Sequence, residues 1–60
     1  MDNEQIILKL TGLVSGIGYI AVSVKTKVSP SHLYNLVKHP EVFRLTNKIR
    51  QKLLASGLFV

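Results

Sequence analysis

Ser29-Pro30-Ser31-His32-Leu33-Tyr34-Asn35-Leu36-Val37-Lys38-His39-Pro40 is the stretch on which the fold turns. Serine directly before proline marks a helix start. The serine oxygen can accept from an amide one turn in, and proline at the first helical position gives up an N–H that would lack a partner anyway. Leu33, Leu36 and Val37 follow at helical spacing, and His39-Pro40 closes the segment. The spacing predicts a helix over 30–38 whose aliphatic side faces a core. Ser31, His32, Asn35 and Lys38 point the other way. Tyr34 is left between two roles, packing its ring on a following helix or facing outward.

Upstream, Tyr19-Ile20-Ala21-Val22-Ser23-Val24 is rich in β-branched residues and by local propensity reads more like a strand. The larger pattern argues for a short helix over about 19–25, with Ile20 and Val24 on one face and Val22 and Ser23 near that seam. A first helix is expected over about 3–15. Asp2 or Asn3 can cap it, Glu4 suits its first turn, and Ile6, Leu10, Leu13 and Val14 share a face beside Ile7. Gly16 and Gly18 are expected to end it. Downstream, Leu45, Ile49 and Leu53 form an apolar stripe of a last helix over about 45–56, with Gly57 as its stop. Arg44, Lys48 and Lys52 form a second stripe, which would serve equally well as a solvated face. The tail Leu58-Phe59-Val60 could pack back on the core, pair with a second copy, or lead into further chain. The expectation is an all-α fold: a small bundle of four short helices, with residues 1–60 as a single domain.

Sixty residues lie near the lower limit for a core that holds a fold unaided. Such a core rarely supplies more than about 3–5 kcal/mol. There is no cysteine, so neither a disulfide nor a thiolate metal site is available, and His32 and His39 lack an acidic or sulfur partner at ligand spacing. No metal or other cofactor is expected. Catalysis is excluded on similar grounds. Two of the three carboxylates fall in the first four residues, which leaves no acid–base pair, and no Ser-His-acid set is present. The glycines at 12, 16 and 18 lack the strand before and the lysine after that a phosphate-cradling loop requires.

Charge divides the chain. Residues 1–24 carry a net −1 and residues 25–60 a net +6, for a formal +5 overall. A basic half on a small domain is the footprint of a nucleic-acid or anionic-membrane binder. Ile6–Val24 is nineteen residues with a single charge, Lys9, close to the length of a membrane span. Gly12 and Gly16 even have the spacing of packed membrane helices. Against a span stand three glycines within seven positions, the absence of tryptophan, and Asp2 and Glu4 where a basic flank would be. Two soluble helices with a turn between them account for the segment better, and nothing at the start reads as a signal peptide.

Val22-Ser23, Thr26-Lys27-Val28-Ser29 and Leu33 with Leu36-Val37 together resemble the helix-turn-helix of the lambda repressor/Cro and lac repressor families. In those families an apolar–small pair is followed by a turn, a Val-Ser, and two buried aliphatics. Val-Ser-Pro-Ser-His-Leu is also similar to recognition helices of the arabinose-regulator family. The resemblance covers about residues 19–40. It departs from the pattern at Lys27, where glycine is usual, and at Ser23, where alanine is usual. If position 27 is left-handed, a side chain there costs on the order of 1 kcal/mol.

The resemblance implies a sequence-specific DNA-binding transcriptional regulator, such as a repressor, with a recognition helix at about 30–38 in the major groove. It implies base contacts from Ser31, His32, Asn35 and Tyr34. Asn35 is best suited to a bidentate contact with adenine. It implies phosphate contacts from Lys25, Lys27, Ser29, Lys38, Arg44 and Lys48, with Val28, Leu33 and Leu36 in the core. Double-stranded DNA is the expected partner and a homodimer the expected state, because one recognition helix rarely makes enough base contacts. The small size suits a bacterial or phage regulator, working in the cytoplasm. Two alternatives belong to other classes: a cationic membrane-associated protein inserting residues 6–24, and an antagonist that binds a protein through a helix-turn-helix-like fold.

Overall fold

The computed structural model of the chain describes residues 2–59, so Val60 of the apolar tail lies outside the described residues. Three helices follow one another: α1 (Asn3–Thr26), α2 (Pro30–Lys38) and α3 (Asn47–Ala55). The described residues contain no strand.

The expected count of four helices is therefore corrected to three. The first two expected pieces are one element, because the glycines thought to end the first helix do not open a loop. Gly16 is inside the helix, and Gly18 takes φ 89° and ψ 160° with helix on both sides of it. Those angles lie in a region essentially restricted to glycine, so α1 kinks there instead of stopping. A straight helix of this length would run about 35 Å, whereas the molecule's longest extent is 24 Å. The two arms of α1 must therefore turn toward each other at Gly18.

Asp2, not Asn3, caps α1. Its carboxylate accepts from the Gln5 amide at 2.8 Å, and the Gln5 side chain accepts from the Asp2 amide at 3.0 Å. This reciprocal pair satisfies two donors that the helix start would otherwise leave open. Ile6, Leu10 and Val14 are buried along the first arm, as the helical spacing predicts, with Ile7 and Leu13 packed beside them. In the second arm the expected seam is wrong. Ile20 and Val24 are 69% and 73% exposed, and the buried pair is Val22 and Thr26. The i, i+4 spacing was right but two residues out of phase, because the inward face is set by the kink at Gly18 and by Val28 beyond the turn.

α2 spans the predicted residues. Ser29 caps it by accepting from the His32 amide at 3.2 Å, with Pro30 in the first turn. α3 begins two residues later than expected. Thr46 caps it by accepting from the Ile49 amide at 3.4 Å, and Gly57 (φ 82°) follows its end. Arg44 consequently lies in the loop before α3, and only Lys48 and Lys52 of the basic stripe are on the helix. The tail folds back: Phe59 is buried in the core with Leu53, and Leu58 packs against it.

Both α2 and α3 pack on α1, and they do not pack on each other. The Arg50 guanidinium of α3 donates to the Asn3 side-chain oxygen, tying α3 to the start of α1. α2 is therefore covered on one side only.

Candidate nucleic-acid interface

The turn between α1 and α2 is built by three residues. Lys27 is the only non-glycine residue with positive φ among those described, at φ 62° and ψ 29°. Its amide donates to the Ser23 carbonyl at 2.8 Å, the single bond by which a left-handed residue closes a helix end. Thr26, 2% exposed, donates its hydroxyl to the Val22 carbonyl at 2.7 Å and accepts from the Val28 amide at 3.4 Å. One hydroxyl thus serves both the last turn of α1 and the first residue beyond it. Val28 then buries its side chain beside Leu33 and Leu36. Ser29 starts α2. Together these contacts fix the angle at which α2 leaves the core.

That angle determines what α2 displays. Ser31 and Lys38 are exposed, Asn35 is half-buried, and Tyr34 is 47% exposed. Tyr34 does pack an aromatic ring, though not on the last helix. Its partner is Tyr19 of α1, with ring centroids 5.7 Å apart and planes tilted by 50°. That pairing holds the phenol at the edge of the displayed face. His32 is half-buried, and its Nε2 is shut from solvent with no hydrogen-bond partner. A base contact through Nε2 would require the ring to turn outward. At the start of α2, Pro30 has no N–H and the His32 amide is held by Ser29. The Ser31 amide is thereby the exposed donor at the positive end of the helix.

The cations do not form one patch. Lys25 and Lys27 come together with Lys52 and Ser56 around a notch of about 210 Å³ that no carboxylate lines. The Ser56 hydroxyl is already engaged, donating to the Leu53 carbonyl at 2.6 Å and accepting from the Leu58 amide at 3.2 Å. The lysines are therefore the notch's free polar groups. Lys38 and Lys48 are exposed elsewhere, on α2 and α3. Arg44 stands apart from all of these. It lines a second, larger groove of about 660 Å³ with Glu4, Leu8 and Phe43.

In the sequence Thr26 figures only within the turn motif and Lys52 only within the basic stripe, neither with a role at this surface. The signal for Thr26 was its i+4 spacing from Val22, immediately before the turn. Lys52 was read only as part of the basic stripe with Arg44 and Lys48, because only the docking of α3 on α1 sets it beside Lys25 and Lys27. Among the described residues, no group of three His, Cys, Asp or Glu side chains is placed to hold a metal ion. Compared with known proteins, the chain has no significant match to a family model, a curated protein or a solved structure.

Proposed function

We propose that the chain is a sequence-reading DNA-binding regulator acting as a homodimer, with α2 laid in the major groove. The observation that carries this reading is the turn itself. A left-handed Lys27 is framed by buried Val22, Thr26, Val28, Leu33 and Leu36, so every large aliphatic of α2 except half-buried Val37 is committed to one side. No other helix covers the opposite side. Such a helix, held rigidly and led by its N-terminal end, is the form of element that reads base edges in a groove about 12 Å wide.

In this reading Ser31 and Asn35 contact bases, with Asn35 donating to and accepting from an adenine. Tyr34 reaches the rim of the same surface, and His32 takes part only if its ring swings out. Lys25, Lys27 and Lys52 hold one backbone phosphate in their notch, and Lys38 and Lys48 neutralise others. Ser29 contributes through the helix start that it organises. No catalytic step belongs to this function, and its place of work is the cytoplasm of a bacterium or of a phage-infected cell.

The test is fluorescence anisotropy of the purified chain against a pool of random duplex DNA at two salt concentrations. Several phosphate contacts predict steep salt dependence, a fall of about 10³–10⁵ between roughly 50 and 200 mM salt for 6–10 contacts. A folded sample that binds no DNA at low salt overturns the function.

One observation favours a second reading. α1 is long and apolar enough by composition to cross a membrane, and Leu8, Ile17, Ile20 and Val24 are exposed on it. Against this, the kink at Gly18 leaves two arms, each short of the roughly 20 residues that a span needs. The membrane reading predicts helicity that appears mainly with lipid; the DNA reading predicts cooperative unfolding in plain buffer.

A further inference from the structure

We propose that the groove between the first arm of α1 and the α2–α3 loop is the face through which two copies of this chain pair, with Glu4 of each copy meeting Arg44 of the other. The inference deepens the homodimer named above and rests on that part of it; it does not require that the protein bind DNA.

The groove is walled by apolar side chains, and several of them are left in water. Leu8 and Phe43, which line it, are 68% and 40% exposed, and neighbouring Val42 is 68% exposed. Large aliphatic and aromatic groups grouped in this way gain by being covered. Charge then selects the partner. Each copy carries a formal +5, so two copies repel wherever their basic surfaces meet. All three carboxylates of the chain fall at or beside this groove: Glu4 lines it, Asp2 caps the same helix start, and Glu41 adjoins the lining residue Pro40.

The groove also presents one free charge of each sign. Glu4 and Arg44 both line it, and among the described residues neither is held in an ion pair. A two-fold contact is self-complementary, so whatever residue i does to residue j is done twice. Apposed two-fold, the groove can set Glu4 against Arg44 at both ends, with Leu8 and Phe43 between.

A second apolar patch, Ile17, Ile20 and Val24, is also exposed. Lys25 directly follows Val24 in the chain, so a two-fold contact there would bring like charges toward each other. Pairing through the groove instead leaves the outward side of α2 and the lysine notch uncovered, because neither shares a lining residue with it.

The experiment is sedimentation equilibrium of the full chain without DNA, for wild type, Glu4→Arg, Arg44→Glu and the double charge swap, each checked for native helicity by circular dichroism. The wild type is expected to dimerise, each single reversal to weaken the dimer by at least about tenfold, and the double swap to recover most of that loss. Leu8→Ser, at a position that the fold leaves exposed, should weaken the dimer as well and serves if a charge variant is misfolded. A wild type that is monomeric at every concentration overturns both the interface and the homodimer. A dimer indifferent to the single reversals and to Leu8→Ser, or one that the double swap fails to restore, overturns this interface alone. DNA affinity and its salt dependence are read separately, so neither result is confused with failure of the DNA reading.

Discussion

Replacing Lys27 by glycine should make the protein more stable while making it a weaker ligand for DNA. Lys27 holds φ 62° to close α1, and a Cβ in that region costs roughly 1–2 kcal/mol. Glycine removes that cost and gives back about 0.5–1 kcal/mol through the greater freedom of the unfolded chain. The net is a stabilisation of about 0.5–1 kcal/mol, which in a domain of this size raises the melting temperature by roughly 2–8 °C. The amide bond to the Ser23 carbonyl survives the change, since it belongs to the backbone. Lys27 also shares a notch with Lys25 and Lys52, so removing its charge could stabilise by relieving repulsion. Lys27→Ala separates the two effects, for it deletes the charge and keeps the Cβ. Thermal melts followed by circular dichroism should therefore rank Lys27→Gly above both wild type and Lys27→Ala. If glycine is no better than alanine, the strain argument is refuted. In DNA titrations both variants should lower the slope of log affinity against log salt by about 0.9 in magnitude, the value of one phosphate contact.

Gly18→Ala should destabilise the fold by about 1–3 kcal/mol, although the space where its Cβ would lie is open; a urea midpoint unchanged from wild type would show that α1 does not need the kink. Thr26→Val keeps the buried shape and removes the acceptor of the Val28 amide, so it should cost about 1–3 kcal/mol in the same assay. Joint substitution of Ser31, His32 and Asn35 by alanine should abolish sequence preference while leaving the melt cooperative and the salt slope near that of wild type. Competition between a selected and a scrambled duplex reads this directly, and unchanged preference would remove those residues from the recognition surface. Asn35→Ala alone should cost roughly 1–3 kcal/mol of discrimination at one base pair.

The parts of this molecule that were legible in its sequence are those governed by contacts within a few residues. The Ser29-Pro30 start and the His39-Pro40 stop of α2 are local chemistry, and they fell where they were expected. So did the buried faces of the first arm and of α2, which follow from a 3.6-residue period. Asp2 as the cap of α1 was one of two readings, decided by the reach of Gln5 back to its amide. Of the candidate interface, Ser31 and Lys38 could be read as outward because they lie opposite Leu33 and Leu36, whereas the half-burial of Asn35 and the enclosure of the His32 Nε2 could not. The departure at Lys27 was visible as a residue of the wrong type for a left-handed position, though whether the backbone takes that conformation was not.

What needed the tertiary structure depends on long-range packing. The strand-like 19–24 stretch is helical because burying Val22 in one cluster with Val28, Leu33 and Leu36 outweighs a local preference worth tenths of a kcal/mol per residue. Its inward face is set by a backbone angle at Gly18 that no side-chain pattern encodes. The separation of Arg44 from the other cations, and the gathering of Lys52 to Lys25 and Lys27, follow from where α3 docks. That docking rests on Leu53, on Phe59 folding back, and on an Arg50–Asn3 contact spanning almost the whole chain. Local propensity and period determine which segments can be helices and which sides are apolar. Which polar groups end up neighbours is decided only when the apolar sides close on one another, because surface charges have little energy with which to direct that closure.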